Sequence, residues 1–482
     1  MKRREFVFGA ASLGAGVALS GFAEQLGKVT GSGTLPEVDV RRLSERVKGN
    51  VVLPGNAGYE QLRRVLSLKV DRHPALIVHC ATADDVRRAV DFARSRGLPI
   101  AVRCGGHSIP GHSTCDGGLL IDLSGLKGIT VDPVKRVARV QGGVLAGELD
   151  HATAAHDLAT VLGECPSVGL GGFTLGGGEG PLMGAFGIGA DNLRSAEVVL
   201  ADSRMVTANA GNDHADLFWA VRGGGGNFGI ATAFEFNLHP VSQVFAGSMR
   251  YKAESPKEFL QFWRDFAAAA PDELTMILHV GPSPGGDSPT ILLRCCWCGD
   301  LEKGEKALAP LRAHGYLVSD SLKRMPYLAF QSQGPSEPTP VLDETRSGFI
   351  PQLNDAVIGL LADGMHDAPP SYDIILSHLH GAISRVKMDA TAFPLREPGF
   401  DCWITAEWNS DSTREKSVQW VRRVWSGVQP HTRGAYVNGL EDEGETRVRS
   451  AYGENYTRLA KIKKRYDPNN TYRFNQNVKP SS

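Results

Sequence analysis

The sequence has no excess of charge of either sign, since its 482 residues include 52 lysines and arginines against 53 aspartates and glutamates. A nearly neutral chain creates no strong long-range field. Binding to nucleic acid or to an anionic membrane surface is therefore not expected. A small molecule recognised by local contacts suits this composition better.

Internal repeats, low-complexity linkers and a heptad pattern are missing as well, which excludes a repeat protein. Zinc ligation is not expected either. Eight cysteines are present, but Cys295, Cys296 and Cys298 fall in an apolar segment that predicts a strand, where alternate side chains point to opposite faces. We expect most of the cysteines to be buried free thiols.

The N-terminal apolar stretch is too short and too rich in glycine to be a durable membrane span. It covers residues 9–22 and follows Arg3 and Arg4, and paired arginines before such a stretch are typical of a twin-arginine export signal. An amphipathic first helix is the alternative interpretation. We predict a signal peptide over residues 1–25 and a mature protein that works in a bacterial periplasm or outside the cell, without membrane insertion.

The length of the chain predicts two lobes, since 482 residues exceed what one compact core accommodates. Residues 75–102 predict a βαβ-like opening, and up to about residue 240 short strands and helices predict one α+β lobe. Residues 256–269 and 301–313 predict helices, and residues 274–280, 291–297, 374–379 and 403–408 predict strands. Strands and helices in this rhythm predict an antiparallel sheet backed by helices on one face. A charged helix over residues 454–466 and an extended tail over residues 472–478 complete the chain.

Glycine is abundant, at 56 residues, and gathers in three segments. Such clusters indicate backbone held close to a ligand, because no Cβ stands in the way. In the first segment, residues 103–108 (RCGGHS), consecutive N–H groups predict a nest for a phosphate. No GxGxxG opens a helix in a βαβ unit here, so the dinucleotide fingerprint does not apply. A tight turn with an exposed His107 is the alternative interpretation.

The second glycine segment contains a cysteine, and two aromatic residues flank the glycines of the third. Cys165 lies within residues 163–180, ahead of a long run of close-packing backbone, and a buried structural thiol is its alternative interpretation. Trp219 and Phe228 flank the glycines of residues 218–229. We interpret this third segment as another surface for close backbone approach, with a flexible loop as the alternative.

Five motifs in a fixed order carry a resemblance to a known family. They are RCGGHS at residues 103–108, GECPSVGLGGFTLGGG at 163–178, GADN at 189–192, FWAVRGGGGNFG at 218–229 and YDPNNTYRFNQN at 466–477. In this order the sequence resembles the berberine bridge enzyme-like flavoproteins of the vanillyl-alcohol oxidase superfamily, over about residues 76–478.

The resemblance implies a two-lobed α+β fold of the vanillyl-alcohol oxidase type. Such a fold has a discontinuous FAD-binding domain and, between its parts, a substrate domain with an antiparallel sheet backed by helices. On this basis we place the FAD-binding domain at residues 40–240 and the substrate-binding domain at 241–434. Residues 435–482 are then a C-terminal segment that returns to the FAD-binding domain.

The resemblance also implies FAD held by two covalent bonds. By position, His107 matches the histidine that bonds the flavin 8α-methyl carbon, and Cys165 matches the cysteine that bonds flavin C6. Imidazole and thiolate are good nucleophiles toward an electron-poor ring, and two bonds are expected to raise the potential of the flavin. The other residues that the resemblance places at the cofactor are Arg103, Cys104, Gly105, Gly106, Ser108, Val168, Gly169, Gly171, Gly172, Asn475 and Gln476.

Tyr436 and Glu179 are the first candidates for proton transfer. Tyr436 matches by position the tyrosine that takes the substrate proton in the family, and Glu179 stands where an aromatic residue is common. A carboxylate there would act as general base or hold an amine; bonding to a neighbouring donor is the alternative. A phenol has a pKa of about 10, and a negative Glu179 would raise it. If both lie in the site, we expect Glu179 to be the base and Tyr436 a hydrogen-bond donor.

Glu407 is a third catalytic candidate, since it shares a face of the predicted strand 403–408 with Trp403. Ordinary sheet packing is the favoured interpretation of Trp403, whereas for Glu407 pocket lining and sheet packing both stay open. His378 and His380 share a face of another predicted strand. No third ligand for a metal accompanies them, so we interpret the two histidines as a polar pocket wall.

These observations predict an FAD-dependent oxidoreductase that removes a hydride from a CH–OH or CH–NH centre of a small organic substrate, such as a sugar, an aromatic or allylic alcohol, or an alkaloid-like compound. Val168, three residues after Cys165, is small, and in the family a small residue there admits oxygen, so we expect an oxidase that makes H2O2. A dehydrogenase with another electron acceptor, a reductase with dissociable FAD and a noncatalytic flavin-binding protein are the alternatives.

Overall fold

A computed structural model of the protein describes residues 35–283, 288–335, 337 and 339–482. The signal peptide predicted for residues 1–25 lies outside these residues. In the part of the chain that is described, no helix is long and apolar enough to cross a membrane.

The first lobe contains a four-stranded and a five-stranded sheet, and one short two-stranded pair. The strands are β1 (Asn50–Val52), β2 (Leu76–His79), β3 (Ile100–Arg103), β4 (Leu119–Asp122), β5 (Ile129–Asp132), β6 (Val137–Gln141), β7 (Leu158–Ala159), β8 (Leu193–Val199), β9 (Met205–Asn209), β10 (Ile230–Asn237) and β11 (His239–Pro240). The order is β1-β2-β4-β3 in the first sheet and β5-β6-β10-β8-β9 in the second, while β11 pairs with β7. Strands β8 and β9 form an antiparallel hairpin.

The helices of this lobe are α1 (Glu37–Arg46), α2 (Tyr59–Arg63), α3 (Ala83–Arg96), α4 (Ala146–Ala154), α5 (Leu170–Gly176), α6 (Met183–Phe186) and α7 (Ala215–Ala220). Helix α3 begins at a capping box in which the Thr82 side chain accepts from Asp85 N, and it ends at Gly97 with φ +63°. The predicted βαβ-like opening is present as β2, α3 and β3, with a further strand between the two. β4 lies between β2 and β3 and pairs in parallel with both, because all four of its residues are buried and suit the centre of the sheet.

The second lobe is one eight-stranded antiparallel sheet with helices on one face, which confirms the predicted fold class. Its strands are β12 (Gln243–Lys252), β13 (Leu274–Pro282), β14 (Pro289–Trp297), β15 (Leu317–Asp320), β16 (Lys323–Pro326), β17 (Asp343–Ile350), β18 (Tyr372–Leu379) and β19 (Gly399–Glu407). The order is β15-β12-β14-β13-β18-β19-β17, with β16 also on β12. Its helices are α8 (Pro256–Ala268), α9 (Leu301–Ala307), α10 (Ala309–Arg312), α11 (Tyr327–Gln331), α12 (Asp355–Gly364), α13 (Ala382–Arg385) and α14 (Asp411–Val428).

The two faces of this sheet differ in burial. Along β19, Cys402, Ile404 and Ala406 are fully buried under the helices, whereas Trp403 and Thr405 on the other face are partly exposed. This alternation follows from the two-residue period of a strand. The opposite face, called the cleft face, is turned toward the first lobe. It carries the short helices α11 and α13, which contact α4 and α6 of the first lobe.

The C-terminal residues return to the first lobe through α15 (Glu445–Tyr452) and α16 (Tyr456–Tyr466). A buried ion pair fixes this return: Lys463 Nζ lies 2.6 Å from Asp467 Oδ2 and donates to the carbonyl of Asn227 at 2.7 Å. Val478 N donates to Asn227 Oδ1 at 2.8 Å. The sequence predicts an extended tail over residues 472–478, but the tail joins no sheet and bends at residues 474–476.

Candidate active site

His107 and Cys165 lie on either side of one hydroxyl group. His107 Nε2 is 3.1 Å from Ser167 Oγ, and Cys165 Sγ is 3.3 Å from the same oxygen. Close packing of two glycines brings the segments together, since a Cβ on Gly105 would stand 2.5 Å from Gly169 N. Two nucleophiles from distant parts of the sequence are thus within reach of a single ligand.

The environment of His107 keeps its imidazole available as a nucleophile. Burial lowers the pKa of His107, which favours the neutral ring with a free lone pair. The neighbouring Cys104 behaves differently, because burial raises the pKa of its thiol to about 11. Cys165 is partly exposed. None of the eight cysteines is in a disulfide, and five of them are buried, in agreement with the prediction that most are buried thiols.

Several backbone and polar groups around this pair are left open for a cofactor. A Cβ on Gly172 would meet no atom within 4 Å, and Gly106 adopts φ +74°, which favours glycine. Arg103 Nε and Asn475 Oδ1 are buried and have no hydrogen-bond partner among the described residues. Open glycine backbone, orphaned polar atoms and two nucleophiles together fit a bound FAD.

Four other residues that are predicted to contact the cofactor also make contacts within the protein. Ser108 Oγ accepts from His112 N at 3.0 Å, which closes a turn. A Cβ on Gly171 would stand 3.4 Å from the Gly142 carbonyl oxygen, and Val168 is a partly buried residue packed against the core of the first lobe. Gln476 donates through Nε2 to the Leu440 carbonyl at 3.1 Å. The amide of Gln476 therefore anchors the tail.

Tyr436 is positioned by two donors to its phenol oxygen. The backbone N–H of Gly178 donates to it at 3.0 Å, and Asn438 Nδ2 donates at 2.8 Å. Asn438 also lies 3.3 Å from the carbonyl of Gly172. The glycine run of the first lobe and the start of the C-terminal segment therefore meet at this phenol, with its proton left free for a third group.

Glu179 in the first lobe and Asp401 in the second are buried carboxyl groups, and the charge of Asp401 acts on Glu179. Glu179 Oε1 and Asp401 Oδ1 are buried, and neither finds a hydrogen-bond partner in the described part of the chain. The other oxygen of Asp401 accepts from the indole N–H of Trp403. Asp401 itself is fully buried. Such groups are costly unless they are neutral or meet a ligand.

The protonation states of Glu179, Asp401 and Tyr436 are linked. Burial and then the charge of Asp401 raise the pKa of Glu179 well above its usual range. Burial raises the pKa of Asp401 to about 7, although the Trp403 hydrogen bond and Arg447 oppose this. Burial and Glu179 raise the pKa of Tyr436. Tyr436 is therefore a neutral phenol near neutral pH, while the carboxyl pair can gain or lose a proton.

Comparison with known proteins identifies the family. A profile described as FAD binding domain matches residues 74–209, and one described as Berberine and berberine like matches residues 435–479. An uncharacterised FAD-linked oxidoreductase of Bacillus subtilis (strain 168) is 32% identical over 447 residues, covering 90% of this chain and 98% of that protein. The chain belongs to the berberine bridge enzyme-like FAD-linked oxidoreductases.

Characterised relatives share this family's fold. The (R)-6-hydroxynicotine oxidase of Paenarthrobacter nicotinovorans is 29% identical over 470 residues, covering 90% of this chain and 97% of the relative. The crystal structure of 6-hydroxy-D-nicotine oxidase from Arthrobacter nicotinovorans superposes with a TM-score of 0.81 at 28% identity, covering 90% and 98% of the two chains. This berberine bridge enzyme-like protein is therefore an FAD-linked oxidoreductase with the two-lobed fold.

Asp401 is a site residue of this family member that the sequence pattern missed. The predicted strand began at Trp403, whereas β19 begins at Gly399. Asp401 therefore shares the cleft face with Trp403, as alternate residues do. Extending the strand by one pair of residues would have found it. Ser167 and Asn438 were also missed, because their contacts cross long stretches of sequence.

Glu407 and the two histidines are not brought together with Tyr436. Glu407 shares the cleft face of β19 but lies six residues from Asp401, or about 20 Å at the rise of a strand. Its side chain is exposed. His378 and His380 stack at 4.1 Å, and His378 also stacks on Phe400 toward the helices. They belong to the opposite face from Asp401, so they form no wall of this site.

Proposed function

We propose that this FAD-linked oxidoreductase is an oxidase that removes a hydride from a CH–OH or CH–NH centre of a small organic substrate, with FAD bound covalently to His107 and Cys165. The observation that carries the proposal is that both side chains lie within 3.3 Å of the Ser167 hydroxyl. Bound FAD would supply the hydride acceptor. Digestion of the denatured protein followed by mass spectrometry tests the covalent attachment of FAD.

The protein's own residues handle the substrate proton in this proposal. Tyr436 keeps its proton and donates a hydrogen bond, because the Gly178 and Asn438 donors already occupy its oxygen. Glu179 and Asp401 accept the proton that the substrate releases. Their burial excludes water from the reacting centre, and this strengthens each interaction with the substrate.

The turnover rate is expected to depend on the ionisation of the carboxyl pair. The pKa of Asp401 is raised to about 7, so the group is protonated below that pH and cannot accept a proton. kcat should therefore fall as the pH drops through about 7, approaching tenfold per pH unit. A pH series of initial rates checks this, with Asp401→Asn as the control. A kcat that stays constant from pH 8 to pH 5 would contradict this role.

Oxygen is the proposed electron acceptor. In this family a small residue three positions after the linking cysteine admits oxygen to the flavin, and Val168 is the residue at that position. Turnover under air is expected to release one H2O2 per substrate oxidised. A coupled peroxidase assay measures the peroxide. Reduction of an artificial electron-accepting dye under nitrogen measures dehydrogenase activity instead. Turnover with the dye and none with oxygen would favour a dehydrogenase.

Export is a further part of the proposal, supported by Arg3 and Arg4 ahead of an uncharged stretch. The mature protein is expected in the periplasm or the medium of a bacterium that expresses the full chain. Replacing both arginines by lysine should retain it in the cytoplasm. Cell fractionation and immunoblotting would measure the distribution, and an unchanged distribution of the variant would refute twin-arginine export.

A further inference from the structure

We infer that two side chains of the second lobe, Arg294 and Gln331, position Cys165 for its bond to the flavin. The inference rests on the function proposed above and assigns positioning residues for one of its two covalent bonds. Both side chains contact the residues that directly precede Cys165, namely Gly163 and Glu164. The position of the thiol therefore depends on the second lobe, although Cys165 belongs to the first.

Arg294 forms an ion pair that joins the two lobes. It lies on the cleft face of β14, since its neighbours Leu293 and Cys295 are buried on the helix face. Its Nε donates to Glu164 Oε1 at 2.9 Å. The two side chains are only 18% and 25% exposed, so salt screens this pair less than a surface pair. Phe330 of α11 also supports the guanidinium, whose carbon lies 5.1 Å from the ring centroid.

Gln331, at the end of α11, holds the residue before Glu164. Its Nε2 donates to the Gly163 carbonyl at 3.3 Å and to Asp150 Oδ2 of α4 at 3.3 Å. The side chains of Gln331 and Asp150 are both buried. A side-chain amide has two N–H donors, and both are committed here. The Gly163 carbonyl is therefore fixed between an element of each lobe.

The chain that follows α11 lies against Cys165 itself. The thiol donates to the Pro335 carbonyl, with Sγ 3.7 Å from the oxygen. A Cβ on Gly334 would clash with the Glu164 carbonyl oxygen, so a side chain at residue 334 would push the two backbones apart. The second lobe thus contacts three successive residues, 163–165.

The first lobe holds the other end of this segment, next to His107. Gly147 N, in the first turn of α4, donates to the Pro166 carbonyl at 3.0 Å. Ser167, the next residue, is the one whose hydroxyl lies 3.1 Å from His107 Nε2. The two attachment residues are therefore positioned separately, His107 within the first lobe and Cys165 through the second.

Attachment of Cys165 requires its sulfur to approach flavin C6 closely. One proton leaves the thiol and one leaves C6, and the two electrons released pass through the flavin to oxygen. With the two protons, oxygen becomes H2O2, which balances the reaction. Misplacement by about 1 Å can slow such a step about 10²-fold. Loss of the second-lobe contacts should therefore slow the bond to Cys165 and leave the bond to His107.

The test is mass spectrometry of the acid-denatured, protease-digested holoenzyme. It separates flavin on the His107 peptide alone from flavin that bridges this peptide to the Cys165 peptide. The parent should be almost completely bridged. Arg294→Met should carry as much flavin in total, but most of it unbridged, because the second bond forms about 10²-fold more slowly. Incubation in air should then raise its bridged fraction slowly.

Further variants test whether lost positioning causes the effect. Glu164→Gln removes the charge that pairs with Arg294, and Gln331→Met removes the amide donor, so both should leave flavin unbridged. Arg294→Lys keeps a cation beside Glu164 and should bridge more completely than Arg294→Met. Arg250→Met is the matched control, because Arg250 lies on the same face of the neighbouring β12 and donates to Thr290 Oγ1 at 3.0 Å within the second lobe. It should bridge as the parent does.

The inference and the proposed function fail in different ways. Complete bridging in either Arg294→Met or Gln331→Met would overturn the inference and leave the proposed function intact. A loss of flavin from the His107 peptide in the same proportion would do so too, since it would show a general structural role. Flavin absent from the Cys165 peptide of the parent would refute the second covalent bond of the proposed function, and the inference with it.

Discussion

Asp401→Asn is expected to lower kcat/KM by about 10²- to 10⁴-fold, the usual contribution of a positioned general base. The asparagine keeps the shape of the side chain and its contact with the Trp403 indole, but it cannot accept the substrate proton. Glu179→Gln is expected to have an effect of the same order. Steady-state kinetics with any confirmed substrate, at pH 8, measure the loss.

Two comparisons distinguish a loss of catalysis from misfolding in these variants. The variants should keep the flavin content and thermal midpoint of the parent, because replacing a buried carboxyl by an amide removes no packing. The double variant Glu179→Gln, Asp401→Asn should lose little more than the worse single variant, since the residues act as a unit. A loss below fivefold in Asp401→Asn, with flavin content intact, would show that the pair is not the base.

Lys463→Met is expected to destabilise the protein by about 3–5 kcal/mol, which is typical when one partner of a buried ion pair is removed. Lys463 and Asp467 are both fully buried, and Nζ also donates to the carbonyls of Asn227 and Tyr472 at 2.7 and 3.0 Å. Methionine fills similar space but leaves the Asp467 charge uncompensated. The C-terminal return to the first lobe would weaken with it.

Urea unfolding followed by flavin fluorescence and by circular dichroism measures this loss. Lys464→Met is the control, because Lys464 is exposed on the same helix, and surface changes usually stay within about 0.5 kcal/mol. Lys463→Met should also load less FAD, since Asn475 lies on the segment that Lys463 holds. A destabilisation under 1 kcal/mol would contradict the role given to this ion pair.

Local sequence patterns were sufficient for most elements and for the family motifs. Residues 256–269 and 291–297 predict α8 and β14 to within two residues, because periodicity is a local property. The predicted helix over residues 301–313 is two helices, α9 and α10, with Pro310 in the first turn of the second. The position of β4 between β2 and β3 depends on strand pairing across long distances, which periodicity does not encode.

Site residues that belong to family motifs could be predicted from the sequence. Site residues that packing between distant segments brings together could not. His107 and Cys165 stand in motifs and Tyr436 matches the family by position, and the structure gathers each near the glycine segments. Asp401 belongs to an ordinary strand, and its importance comes from Glu179, which approaches from the other lobe. Glu407 has the right residue type on the right face, but it lies too far along β19, a distance that alternation alone cannot reveal.

The central claim is that FAD is bound through both His107 and Cys165, and the most direct test is mass spectrometry of the acid-denatured, protease-digested holoenzyme. The account predicts one FAD joining the peptide that contains His107 to the peptide that contains Cys165, with His107→Ala and Cys165→Ala each leaving flavin on the other peptide. Flavin that washes away completely from the denatured parent protein would contradict the account.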